Sequence, residues 1–218
     1  MDLRLRAFIP YAVAGIVHLA VLSAGLEASS VTKLTLMPAL LLGFLIALPR
    51  RRGTIFVLGT VGILLSWSGD ALLGSPGDIG FLLGLGSFFL AHLAYLLLFL
   101  GPLRQRRIPW QAVFYAVWFV VLLILLIPHV GVLVVPVAAY GFVLAAAASA
   151  ALAANRFALV GALVFLASDT ILAFRLFYPN FDFWQMDSAI MILYIVGQGL
   201  IVLGAVSRAS TLRAQQQL

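Results

Sequence analysis

Long apolar runs, separated by short polar or helix-breaking turns, set the pattern of this chain as far as about position 206. Each run approaches the roughly 20 mostly apolar residues that carry an α-helix across a bilayer. Open sheet edges do not occur in hydrocarbon, so runs of this kind read as helices. Dividing the chain at its breaks places helices at about 7–25, 32–48, 53–73, 79–100, 110–127, 130–153, 157–177 and 187–206. The breaks have a recognisable chemistry. Pro49-Arg50-Arg51-Arg52-Gly53 and Arg104-Gln105-Arg106-Arg107-Ile108-Pro109 combine charge with helix breakers, and Gly74-Ser75-Pro76-Gly77-Asp78 is a short turn. The loop from Pro179 to Trp184 is the longest and carries aromatics suited to a membrane interface. Pro128-His129-Val130-Gly131 is the weakest break. The expectation is a single all-α integral membrane domain over residues 1–218, a polytopic transmembrane bundle of about eight helices.

Composition agrees with the pattern. The 218 residues are 64% hydrophobic and only 9% charged, against about 25% charged in a soluble domain. Cysteine is absent, which excludes a thiol nucleophile, a cysteine-based zinc site and any disulfide. The net charge of +6 would suit nucleic acid, but the placement of the charges points to membrane orientation instead. With the N-terminus inside, Arg4, Arg6, Arg50, Arg51, Arg52, Arg104, Arg106, Arg107, Arg156, Arg208 and Arg213 all face the cytoplasm. Only Lys33 and Arg175 fall on the other side, an eleven-to-two split that an odd number of spans would spoil. Both termini are therefore expected to be cytoplasmic, with no nucleic-acid partner. The first run follows two arginines and ends near Ser23-Ala24-Gly25, as a signal peptide would; it is read as a retained first span. The expected location is the cytoplasmic membrane of a bacterium or the endoplasmic reticulum membrane of a eukaryote.

Ionisable groups inside such a bundle need a reason, since each costs roughly 2.5–3.5 kcal/mol on insertion scales. They are His18, Asp70, His92 and Asp169, with Glu27, Lys33 and Arg175 nearer the outer ends. Tyr194 and Gln198, four residues apart, share a helix face. Nearly all lie in the middle or non-cytoplasmic half of the bilayer, which implies a pocket opening on that side. Gly80, Gly84, Ser87 and Ala91 form a small-residue stripe for close helix packing, flanked by His92 and Tyr95. Asp70 and His92 differ by roughly 15 Å in height at 1.5 Å per residue, so their contact is not assured. Ser68-Gly69-Asp70-x-x-Leu73 is echoed 99 residues later by Ala167-Ser168-Asp169-x-x-Leu172, on a span running in the same direction.

Several readings of these residues stay open. The aspartates could pair with Lys33 or Arg175, and His92 could serve packing alone. Asp70, His92 and Asp169 have the ligand types of a zinc or iron site. Ser66, Ser68 and Ser168 lie near the aspartates, but GxSxG, HExxH and P-loop motifs are all missing. The function classes that remain are a hydrolase, a small proton- or cation-coupled transporter, and a non-catalytic lipid-binding membrane factor.

One set of motifs favours the first class. Thr32-Lys33 with Pro38 opening span two is followed by Gly69-Asp70-x-x-Leu73 and Gly84-x-x-Ser87-Phe88-x-x-x-His92-x-x-Tyr95. Then come Gly161-Ala162-x-x-Phe165, Ser168-Asp169-x-x-Leu172-Ala173 and Tyr194-x-x-x-Gln198-x-Leu200-Ile201. In order and spacing these resemble the YhhN family, whose characterised animal members are lysoplasmalogenases. A proline expected soon after the lysine arrives only at Pro38. The resemblance implies a membrane hydrolase that cleaves the vinyl-ether bond of a lysophospholipid, releasing a fatty aldehyde and glycerophospho-ethanolamine or -choline. Such a reaction needs a proton donor for the alkene carbon and a second group for the cation and water, a division paired carboxylates can make. It requires no cofactor and no metal. Asp70 and Asp169 are assigned these roles, undivided, with His92 orienting one of them or the water. Lys33 is assigned to the substrate phosphate and Tyr194 and Gln198 to glycerol oxygens, with Tyr95 and Ser168 completing the substrate-binding set.

Overall fold

A computed structural model describes residues 3–217, among which there are helices and turns but no strand. A single turn, α1 (Leu3–Arg6), precedes α2 (Ile9–Ser23), whose Pro10 sits in the first turn, where its N–H would have no helical partner. Then follow α3 (Ser29–Ala47), α4 (Thr54–Leu73) and α5 (Asp78–Leu100). The second half contains α6 (Val113–Val130), α7 (Val134–Ala151), α8 (Arg156–Phe177) and α9 (Met186–Gln215). Among the described residues, six helical stretches are long and apolar enough to cross a membrane, and Ile9–Ser23 is apolar but shorter.

One of the six, Trp110–Ala151, is not a straight rod. Gly131 takes φ +60°, a left-handed conformation open to glycine, and the chain turns back there. Phe119 of α6 and Phe142 of α7 meet edge-on at 5.9 Å, and Leu122, Leu126 and Val130 pack with Val134 and Val137. The expected break is therefore present, but Pro128 stays inside α6 and the reversal waits for the glycine.

From α2 onward, consecutive helices pack together except α5 and α6, for α5 packs on α7 instead, and α9 also touches α2, α3 and α4. Lipid supplies no hydrophobic drive between helices, so close backbone approach matters. The stripe on α5 provides it against α4: a Cβ added at Gly84 would lie 2.9 Å from the Leu73 nitrogen, and Ser87 Oγ donates to the Leu65 carbonyl at 2.7 Å. Glycines do the same between α8 and α9. A Cβ at Gly161 would lie 2.6 Å from the Ile201 nitrogen, and one at Gly204 would lie 2.7 Å from the Ala158 nitrogen.

Two expectations need correction. Pro38 does not open its helix but lies within α3. Lacking an N–H, it leaves the Leu34 carbonyl without its helical donor. The indole Nε1 of Trp67 on α4 donates to that carbonyl at 2.9 Å, which is how a proline is accommodated at this depth. The last helix also continues past 206 to Gln215. Hydropathy ends where the apolar run ends, but Ser207–Gln215 keeps helical order outside it. Arg208 Nε donates to the Pro102 carbonyl at 3.0 Å and Arg213 Nη1 to the Pro49 carbonyl at 2.9 Å, tying this extension to two turns of the same end.

Candidate active site

The C-terminal part of α4 and the N-terminal part of α3 meet at one end of the bundle, and this brings Asp70 to Lys33. The Asp70 carboxylate is 4% exposed; Oδ1 lies 3.1 Å from Lys33 Nζ, and Oδ2 accepts a 2.6 Å hydrogen bond from the Tyr194 hydroxyl of α9. The open possibility of a Lys33–Asp70 ion pair is thus realised, while Arg175 pairs instead with the exposed Asp187 at 3.6 Å. The second aspartate, Asp169 of α8, is half-buried and accepts a hydrogen bond from Tyr140 of α7. No cation lies within ion-pair distance of Asp169 among the described residues.

Both carboxylates line one cavity of about 500 Å³, within the range usual for small-molecule sites. Its wall is mixed. Polar groups come from α2 and α3, namely His18, Ser29, Ser30 and Lys33 beside Leu22 and Leu34, while Phe81, Leu85, Val137, Leu172, Leu176 and Phe177 of α5, α7 and α8 make most of the apolar lining. His18 is fixed by its own hydrogen bonds. Thr32 gives its proton to the Ser29 carbonyl, so His18 Nδ1 donates to Thr32 Oγ1 at 2.9 Å and Nε2 is left without a protein partner.

Of the residues expected at the site, Asp70, Asp169, Lys33, Tyr194 and Ser168 are brought to the cavity wall. Ser168 Oγ donates to the Ile190 carbonyl at 2.9 Å, which uses its one proton to join α8 to α9. His92, Tyr95 and Gln198 are not on the wall. Tyr95 OH donates to Gln198 Oε1 at 2.8 Å and Gln198 Nε2 donates to Ser66 Oγ at 3.0 Å. Gln198 and Ser66 each lie four residues from Tyr194 and Asp70 respectively, so this closed network is one helical turn farther from the mouth. Gln198, expected at the glycerol oxygens with Tyr194, and Tyr95, expected in the substrate-binding set, therefore stand behind the wall in a supporting position.

His92 is likewise withdrawn. Nδ1 donates to the Phe88 carbonyl at 2.9 Å, Nε2 has no partner, and its ring lies 4.6 Å from that of Phe165 and 5.6 Å from that of Tyr140. It backs Tyr140 and makes no hydrogen bond to either aspartate, so it does not hold a carboxylate directly as expected. Asp70, His92 and Asp169 are not gathered as metal ligands; the described residues hold no cluster of three such side chains. A serine triad has no geometric counterpart either, since Ser66, Ser68 and Ser168 bond to Gln198, the Leu64 carbonyl and the Ile190 carbonyl. The residue that sequence reasoning missed is Tyr140. Its signal was a lone tyrosine in a helix otherwise made of small and aliphatic residues, one phenylalanine and one serine.

Two aspartates, each held by a tyrosine at the wall of one cavity inside an all-α bundle, define a multi-pass membrane protein with an acidic site. Residues 28–205, which include both aspartates, Lys33, Tyr140 and Tyr194, match the sequence model of the YhhN family, and the chain belongs to that family. No curated protein and no solved structure matches it.

Proposed function

We propose that this protein is a membrane-embedded ether hydrolase of the lysoplasmalogenase kind. Its substrate is a lysoplasmalogen or a related ether lysophospholipid, and its products are a fatty aldehyde and glycerophospho-ethanolamine or -choline. The observation that carries this reading is that both aspartates line one cavity of about 500 Å³, together with polar groups of α2 and α3 and apolar side chains of α5, α7 and α8. A single-chain phospholipid combines the same two kinds of surface, with its vinyl-ether bond at the junction between headgroup and chain.

Asp169 serves as the acid. It lacks an ion-pair partner among the described residues, and an unpaired carboxylate is the costlier charge in hydrocarbon. It also stands on α8 ahead of Leu172 and Leu176 of the apolar lining, where the alkenyl chain would enter. Its proton goes to the alkene carbon farther from oxygen, forming a C–H bond and an oxocarbenium ion. Water then adds to the carbon bearing oxygen, and Asp70, held ionised by Lys33, takes the proton released. The hemiacetal so formed then breaks its bond to the glycerol oxygen, which takes the proton held by Asp70 and leaves as the alcohol. The hemiacetal hydroxyl gives its proton back to Asp169 and becomes the aldehyde carbonyl. One water is consumed, and the chemistry calls for no cofactor. Lys33, partly exposed at 29%, extends from Asp70 towards the headgroup phosphate, while Tyr140, backed by His92, holds Asp169.

The accompanying topology is eight crossings with both termini cytoplasmic, the cavity opening on the opposite face. Incubating a lysolipid panel with detergent-purified protein and analysing the products by mass spectrometry tests this reading. A fatty aldehyde, lost in correctly folded Asp70→Asn and Asp169→Asn proteins, is the expected result. A free fatty acid, or full activity in both variants, would overturn it.

A further inference from the structure

At the end of the bundle opposite the aspartates, a second cleft of about 620 Å³ lies between the turn after α3, Pro102 and the polar extension of α9. Arg50, Arg52 and Arg213 line it. Arg213 is anchored on the Pro49 carbonyl, whereas Arg50 and Arg52 have neither a carboxylate nor a hydrogen-bonded partner among the described residues. The N-terminus of α4 opens into the same space: Gly53 precedes it with no side-chain cap, so first-turn N–H groups of the 20-residue helix remain unclaimed. Leu48, Ile55 and Leu212 give the cleft an apolar lining beside these donors.

Positive charge alone is explained by membrane orientation, but orientation does not require a cleft. It also does not require two unpartnered guanidiniums to converge with a third on the open end of a helix. Guanidinium forks and free helical N–H groups are the donors that a phosphate oxygen accepts best, and apolar surface next to them suits the glycerol portion of a lipid. We propose that this cleft is a binding site for a phosphate-bearing anion, separate from the acidic cavity. A headgroup of the adjoining anionic leaflet and free phosphate are its two possible sources. Occupancy would join the turn after α3 to the α9 extension.

The test is native mass spectrometry of the full chain in neutral detergent, titrated with phosphatidylglycerol or phosphatidylcholine, alongside calorimetry with inorganic phosphate. One saturable phosphatidylglycerol adduct is expected, at least tenfold tighter than phosphatidylcholine. It should weaken at least tenfold in Arg50→Gln/Arg52→Gln and stay unchanged in Arg107→Gln/Arg156→Gln, which removes equal charge at the same end. Arg50→Lys/Arg52→Lys keeps the charge that orients the chain but loses the fork geometry, and should also weaken binding. Saturable inorganic phosphate binding with the same variant pattern would support the site with free phosphate as its source. Equal weakening in the two glutamine doubles, equal binding of the two lipids without phosphate binding, or no saturable adduct of either kind would overturn the proposal.

Discussion

At the scale of single residues, the two aspartates differ in their partners: Asp70 has a lysine and a tyrosine, Asp169 only a tyrosine. Removing either carboxyl should reduce turnover by the roughly 10²–10⁴-fold usual for general acid–base catalysis, measured as aldehyde release by Asp70→Asn and Asp169→Asn. Tyr140→Phe should lower kcat about tenfold with little change in KM, because it frees Asp169 without touching the headgroup side; an unchanged kcat would remove Tyr140 from the account. Ser168→Ala should leave turnover intact and lower stability by about 1 kcal/mol, the net worth of an ordinary hydrogen bond, read from thermal unfolding. The aspartates, Lys33 and Tyr194 were legible in the sequence because ionisable or hydroxyl groups stand out in apolar helices. Tyr95, Gln198 and His92 stood out for the same reason, yet periodicity reports a helix face and not the side chain's partner. Tyr140 was overlooked because tyrosine is common in membrane helices and its target lies on another span.

At the scale of elements, most helix limits were readable from the apolar runs, and the exceptions have physical causes. A proline reads as a boundary, but Pro38 is absorbed because Trp67 supplies the donor that the Leu34 carbonyl would otherwise lack. A double-mutant cycle checks this. Trp67→Phe should destabilise the protein by about 1–3 kcal/mol, the cost of an unsatisfied carbonyl at membrane depth, and by less in a Pro38→Ala background, where residue 38 regains its N–H. Equal losses in both backgrounds would refute the compensation. The α9 extension was invisible to hydropathy, since its order rests on arginines meeting turn carbonyls and on only two apolar residues, Ala209 and Leu212, packed against the core. The small-residue stripe on α5 was readable because glycine spacing reports backbone approach directly, whereas its partner face on α4 was not.

At the scale of the whole molecule, the distribution of charge carries the topology. In the proposed eight-crossing arrangement all the arginines except Arg175 lie at one end, so a reporter fused after residue 218 should be active only when it is a cytoplasmic reporter. The same arrangement sets the acidic cavity and the arginine-lined cleft at opposite ends, so chemistry and anion binding can be measured separately. The central claim is that the reaction begins with proton transfer to carbon inside the acidic cavity. Turnover of a lysoplasmalogen in D₂O, with the aldehyde trapped at once by borohydride, tests that claim most directly. The account predicts one deuterium on the carbon next to the former carbonyl, seen as a 1 Da gain in the trapped alcohol and absent with Asp169→Asn. An aldehyde formed without that deuterium, or a fatty acid in its place, would contradict it.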